Sequence, residues 1–449
     1  MVRRLNIARM IAFPLGLGLL GVLVSGTLNR VMIVELAMPA SLVGLFFAVP
    51  FLLSPLRMWL GYRSDGWPIF GLRREPYIVL GAALGGLGVV GATLLALSTD
   101  DLGLLVVLAL LLAFIAYGVG KNLASNTFEA LLADKFEGHA RARAVTLFKI
   151  PMFLGIIGGS IMLGRALDPF TVGRFTSIVL GVAALMAILA GFAVMRQEPR
   201  GQSVQAAEMQ ARRESFREVF GRFLWRDPQA RLFFIFVMLT LTGTQAQDVL
   251  LEPYGALALN MTVAQTTRLN SIWGTGVILT MALAGGWLIQ RAGYRRILQV
   301  GLLLNIGVFA GIILSGVVGS AGMFQGFVFL LGVGTGFAAA GAFAAVVDFT
   351  TFTRAGFLMG VWGVAEQFGT AIGNLFGGVI VDGIRTVTGN PLAAYGTVFA
   401  LEGALLIGAL VLLSRIDVRA SVALNEEVQA EQDTRDAVGA SAAVPEFAG

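Results

Sequence analysis

Cysteine is absent from the 449 residues, so no disulfide can staple the chain and no thiolate can hold a metal. Histidine occurs once, at His139, which excludes a metal centre built from a histidine cluster. Charge is scarce as well: 13% of residues are Asp, Glu, Lys or Arg, 57% are hydrophobic, and mean hydropathy is +0.81. Soluble domains carry about 25% charged residues, so the chain reads as an integral membrane protein. A nucleophile–base pair, a phosphate loop after a strand and a metal-ligand cluster are missing too. No enzymatic activity, catalytic residue or metal site is expected. The net charge of +5 and pI near 9.9 would suggest nucleic acid in a soluble protein. Here arginines at membrane edges account for them, and no nucleic-acid partner is expected.

What the chain has instead is apolar length. Several runs reach the roughly 20 residues that a helix needs to cross about 30 Å of hydrocarbon, which favours helices over the short alternating strands of a barrel. The 58 glycines suit helices packed closely in lipid, where small residues let backbones approach. Apolar runs predict an all-α protein with twelve transmembrane helices. The first six lie near Ile11 to Met32, Ser41 to Leu60, Pro76 to Leu97, Leu102 to Asn122, Ala144 to Leu163 and Phe175 to Met195. The second six lie near Leu232 to Leu251, Leu269 to Ile289, Ile297 to Val317, Met323 to Val347, Gly356 to Val381 and Ala393 to Leu413. The first run follows a basic start, is long and has no obvious cleavage site, so it is expected to stay as a span.

This divides the chain into a six-helix bundle over 1–196, a linker over 197–231, a second six-helix bundle over 232–415 and a tail over 416–449. In the linker, Phe216, Phe220, Phe223 and Leu224 recur at near-helical spacing among arginines, predicting an amphipathic helix on the anionic inner leaflet. The tail, rich in Ala, Glu, Gln and Asp, is expected to be disordered. Basic residues flank alternate connections: Arg3, Arg4 and Arg9 before the first span, Arg63, Arg73 and Arg74 after the second, Lys135, Arg141 and Arg143 after the fourth, and Arg291, Arg295 and Arg296 after the eighth. Connections between them, such as Ser98-Thr-Asp-Asp101, are poor in basic residues. Both termini are therefore expected in the cytoplasm.

Polar residues inside spans are the functional candidates, because an ionised side chain in hydrocarbon costs about 2.5–3.5 kcal/mol on insertion scales and implies a partner, a wet cavity or the interface. The seventh span ends in Gly243-Thr-Gln-Ala-Gln-Asp-Val-Leu-Leu-Glu-Pro-Tyr-Gly255, bringing Gln245, Gln247, Asp248, Glu252 and Tyr254. The first span ends in Gly26-Thr-Leu-Asn-Arg-Val-Met-Ile-Val-Glu35, bringing Asn29, Arg30 and Glu35. Gly26, Thr27 and Glu35 match Gly243, Thr244 and Glu252 at one constant spacing, so both halves place polar groups at similar depth. Arg30, Glu35, Asp248 and Glu252 are expected to form an ion-pair and hydrogen-bond cluster that closes the periplasmic side. Glu366 and Gln367 in the eleventh span, with Asn374 two turns on, are candidates for the central cavity or for bonds between helices. Trp362 is a candidate pocket wall, Lys149 is expected to snorkel to the inner interface, and Asn122, Asn126 and Glu129 to close the fourth span.

Between the second and third spans, Gly61, Asp65, Gly71, Arg73 and Arg74 are similar to the loop signature of the major facilitator superfamily. Gly61 would permit close helix contact, Asp65 would cap a helix or pair with arginine, and the arginines would anchor the loop at the headgroups. The loop after the eighth span repeats the pattern as Gly286-Trp-Leu-Ile-Gln-Arg-Ala-Gly-Tyr-Arg-Arg296, without the aspartate. Two six-helix repeats related by a pseudo-twofold, with substrate at their interface, are that superfamily's architecture.

The longer motifs are more specific. Arg9-Met10, Pro14, the stretch Gly26 to Leu36, Pro55-Leu-Arg57, Ser64-Asp65, Pro76-Tyr77 and Gln247-Asp-Val-Leu-Leu-Glu-Pro-Tyr-Gly255 resemble the bacteriochlorophyll delivery family, the PucC/LhaA-type assembly proteins of phototrophic bacteria. The segment Tyr117 to Glu129 departs from that family's pattern. The resemblance implies a multi-pass protein of the bacterial inner or intracytoplasmic photosynthetic membrane. Its partners would be membrane lipid, light-harvesting or reaction-centre subunits and bacteriochlorophyll, the pigment being a transient ligand and no cofactor tightly bound. Because the single histidine lies in a loop, a bound pigment's magnesium would need an Asn, Gln, carboxylate, backbone carbonyl or water ligand. A proton-coupled transporter of a small solute and a structural companion without substrate remain alternatives.

Overall fold

The computed structural model describes residues 8–56, 69–98, 102–135, 148–198, 228–245, 247–349 and 355–416. Regular structure among them is helical, apart from one isolated bridge between Ile69 and Leu72. Twelve spans follow in order. In the first half these are α1 (Ala12–Gly21, continuing as wide π-helical turns at Val22–Leu28 and Val31–Glu35), α2 (Ala40–Leu52), α3 (Glu75–Leu97), α4 (Leu104–Lys135), α5 (Lys149–Ala166) and α6 (Val172–Val194). In the second they are α7 (Pro228–Gln245 and Gln247–Leu259), α8 (Leu269–Leu283, extended by Ala284–Leu288 and Ile289–Ala292), α9 (Tyr294–Val318), α10 (Ala321–Phe349), α11 (Ala355–Thr388) and α12 (Pro391–Arg415). Ten are long and apolar enough to cross a bilayer; α2 is shorter and α8 is interrupted by its π-helical turn.

Neighbour relations repeat between the halves. α3 packs on α4 and α6, α1 on α5 and α6, and α2 on α4; likewise α9 packs on α10 and α12, α7 on α11 and α12, and α8 on α10. Contacts across the halves exchange in the same sense, α2 with α11 and α8 with α5, while α1 meets α7 between them. This is the expected major facilitator arrangement. The exit of each half is tied at the terminal face. Glu198 accepts the backbone N–H groups of Arg73 and Arg74, both at 2.8 Å, and Glu75 accepts those of Gln197 and Glu198 at 2.5 and 2.6 Å. In the second half, Arg295 donates to the carbonyls of Leu413 and Ile416.

Span boundaries differ from the hydropathy reading where local chemistry intervenes. α2 breaks after Leu52, where Pro50 interrupts its bonding and Pro55 restrains Ser54, and the rest of the expected span, 57–60, lies outside the described residues. Asn122 of α4 donates to the Pro50 carbonyl at 2.8 Å. Asn122 and its polar neighbours therefore do not end α4, which continues to Lys135. α11 continues past Val381 to Thr388, and Asp382 in that extension acts on the other half. Gly61, Asp65, His139, the linker helix and the tail lie outside the described residues.

Candidate functional site

The first-span and seventh-span motifs interlock at the face remote from the termini. Pro253 has no N–H, so the Val249 carbonyl one turn earlier has no partner within α7. Asn29 of α1 fills that vacancy, donating to Val249 O at 2.7 Å with its side chain fully buried. Gly26 gives α7 room: a β-carbon there would lie 2.3 Å from Glu252 Oε1. That oxygen accepts from Asn270 of α8 at 2.5 Å. Thr27 and Thr267 share a hydroxyl–hydroxyl bond of 3.2 Å, and Arg30 donates to Glu35 at 2.5 Å and to the Met261 carbonyl at 3.3 Å. Tyr254 is buried edge-on to Phe324 and Phe399 and donates to the Ile312 carbonyl at 2.9 Å.

Two flanking contacts complete the closure. Asp382 of α11 caps the start of α2 from the opposite half, accepting from Ala40 N at 3.0 Å, Ser41 N at 2.7 Å and the Ser41 hydroxyl at 2.5 Å. Ser160 of α5 donates to the Thr267 carbonyl at 2.6 Å and accepts from Ser271 N at 3.1 Å. Cross-half hydrogen bonds among the described residues thus gather at one end of the bundle.

Behind this seal lies a cavity of about 330 Å³. Its apolar walls include Phe13, Leu17, Phe128, Met152 and Leu251, and its polar lining includes Ser25, Lys121, Gln247, Asp248, Glu252 and Asn270. The cavity reaches toward the terminal face, where Glu129 and Lys149 are exposed. Asp248 is the exposed acid at its deep end; among the described residues its side chain makes no hydrogen bond or ion pair, and Lys121 acts on it electrostatically. Lys121 itself lies 4.9 Å over the Phe51 ring. Gln247 is buried, and its backbone N–H donates to Glu402 Oε1 of α12 at 2.9 Å.

The structure divides the predicted candidates. The expected single cluster of Arg30, Glu35, Asp248 and Glu252 is two separate arrangements. Arg30 and Glu35 pair at the closed face, while Asp248 turns into the cavity without meeting Arg30. Arg30 spends its two terminal nitrogens on Glu35 and the Met261 carbonyl, and Glu252, on which Arg30 acts electrostatically, is bonded to Asn270 instead. Gln245 is half-buried; Glu366 is exposed and Gln367 half-buried on α11, and none of the three lines this cavity. Asn374 is buried where its backbone carbonyl approaches Gly44 of α2, a β-carbon at 44 lying only 2.4 Å from it. Gly71 takes a left-handed turn with φ of 76°, and Arg73 reaches Glu198 at 3.6 Å. Arg74, expected at the headgroups, is instead buried. Lys149 does line the mouth, as an exposed residue. Residue reading missed Glu402, Asp382 and Lys121. Glu402 was visible by the criterion applied to Glu366, a single acid inside an apolar run.

Comparison with known proteins fits this geometry. The sequence profile of the PUCC protein family matches residues 27–421, which takes in the seventh-span motif and the first-span motif from Thr27 on, while the cavity-lining residues of α1, Phe13 to Ser25, precede it. The chain belongs to the PUCC protein family. It is 31% identical over 420 residues to Protein PucC of Rhodobacter capsulatus, with 90% of each chain covered. It is 32% identical over 421 residues to the Bacteriochlorophyll synthase 44.5 kDa chain of the same species, with 90% of this chain and 94% of that one covered. Among solved structures, a mutant of the nucleoside transporter NupG superposes with a TM-score of 0.73 at 16% identity, covering 92% of this chain and 99% of that one. A bacterial homologue of the lysosomal transporter Spinster, inward-facing and occupied, gives 0.69 at 14% identity, covering 91% and 97%. These likenesses establish the major facilitator fold for this PucC-family chain.

Proposed function

We propose that the protein is an assembly factor for photosynthetic antenna complexes, handling bacteriochlorophyll within the inner membrane and presenting it to light-harvesting or reaction-centre subunits. The observation that carries this reading is a cavity with apolar walls and a polar deep end inside a PucC-family chain. Such a lining suits a large apolar ligand that carries one polar centre. The positive-inside bias supports both termini in the cytoplasm, an orientation in which the cavity would face that side and the interlocked motifs the periplasm. The bacteriochlorophyll name carried by one relative supports the same assignment.

A second reading, a proton-coupled transporter of a small solute, is favoured by one feature, an acid exposed to the cavity deep in a span at the interface of the two halves. Gentle purification from native photosynthetic membranes separates the two. The assembly reading expects tetrapyrrole absorption and antenna polypeptides in the purified fraction. A colourless protein free of antenna polypeptides, whose Asp248→Asn variant loses proton-driven solute uptake, would replace it with the transporter.

A further inference from the structure

We infer that the Asp248 carboxylate is the axial oxygen ligand for the magnesium at the centre of a tetrapyrrole in this cavity, an inference that rests on the pigment-handling reading above. Magnesium is a hard cation that takes oxygen donors, and the chain's single histidine, His139, is not among the residues of the described spans. The ligand must therefore come from an oxygen that faces the cavity, and the deep end offers few.

The neighbouring oxygens are committed or covered. Glu252 Oε1 is held by Asn270, and Glu252 Oε2 and Gln247 Oε1, though without partners among the described residues, are buried atoms with almost no exposed surface. The Ser25 hydroxyl donates to the Gly21 carbonyl at 2.7 Å. Asn270 directs its amide N–H at Glu252. Asp248 alone among these is exposed and unbonded among the described residues. Aromatic side chains are among the cavity lining: Phe13 and Phe128, with ring centroids 4.5 Å apart, and Trp273, whose ring lies 6.2 Å from that of Phe153. Flat rings stack on such surfaces. Lys121 lines the same cavity and acts electrostatically on that carboxylate, a compensating charge that stays whether or not a ligand is present. Withdrawal of the pigment therefore leaves no isolated charge behind, which favours transfer over storage.

The test uses the purified full-length protein titrated with bacteriochlorophyll and with its magnesium-free form, bacteriopheophytin, followed by the visible absorption shift and by quenching of tryptophan fluorescence. Wild type is expected to bind the magnesium form at least about tenfold more tightly. Asp248→Leu should erase that preference while binding bacteriopheophytin as wild type does. Asp248→Asn, which keeps an oxygen but loses the charge, should reduce the preference several-fold and guards against misfolding of the leucine variant. Equal affinity of wild type for both pigments, or a preference unchanged in the folded variants, overturns the assignment. Binding of neither pigment would instead overturn the pigment-handling reading itself.

Discussion

Asn29 and Pro253 form a pair whose coupling can be measured. Truncating Asn29 to alanine removes the donor to Val249 O and leaves a buried carbonyl without a partner, because Pro253 cannot supply an N–H from within α7. An unsatisfied buried acceptor costs about 1–3 kcal/mol. Asn29 Oδ1 already lacks a partner among the described residues, and deleting it removes one unsatisfied group, so the net cost falls in the lower part, about 1–2 kcal/mol. That is roughly a tenfold shift toward opening of the sealed face. Since the chain contains no cysteine, Met261→Cys supplies a sole thiol at a position only 3% exposed in the closed state, and its alkylation by a water-soluble maleimide reads the opening. Asn29→Ala should raise the alkylation rate about tenfold. Pro253→Ala returns an N–H opposite Val249 O, so in that background the same truncation should raise the rate no more than about twofold. An equal rise in both backgrounds would refute the account of why these two motifs belong together.

Two other contacts give independent checks. Asp382→Ala removes the cap on Ala40 and Ser41, a loss of about 1–2 kcal/mol, and should both lower the thermal midpoint in detergent and speed alkylation at Met261→Cys; a variant unchanged in both would show that the α2–α11 contact does not hold the seal. Glu402→Gln keeps an oxygen for the Gln247 N–H and should be mild, whereas Glu402→Leu strands that N–H and should cost about 1–3 kcal/mol by thermal unfolding, so equal effects of the two substitutions would contradict the assigned bond.

The twelve-span architecture was legible because hydropathy and the duplicated polar ends of α1 and α7 report burial in lipid directly. The motifs were legible as motifs for the same reason: Asn29, Gln247 and Glu252 are too costly in hydrocarbon to be accidental. Their pairing was not. Arg30 and Asp248 look complementary as charges, yet Arg30 pairs with Glu35, and the bonds that tie the halves go to backbone carbonyls, Val249 O freed by Pro253 and Met261 O just past α7, which carry no sequence signal. Asp382 escaped notice because its role is to cap a helix more than three hundred residues earlier. Glu366 stood out as an acid in a span, but which face of α11 it occupies depends on packing, and that face is not the cavity.

The distribution of satisfied and unsatisfied groups bears on what the protein must do. At the sealed face, the bonds from Asn29, Thr27, Arg30, Ser160 and Asp382 all cross between halves. At about 0.5–1.5 kcal/mol each they hold that end shut by several kcal/mol. A ligand that reversed the equilibrium from 1:99 to 99:1 would need a differential affinity of about 5.5 kcal/mol between the two states. A solute transporter must find that energy in every cycle, from the ligand or from proton binding. A factor that takes up and releases a lipid-soluble pigment on one side of the membrane never has to break the seal. A seal held by several cross-half bonds beside an unbonded cavity carboxylate therefore favours uptake and release through the same open side, which is what handover to membrane-embedded antenna subunits requires.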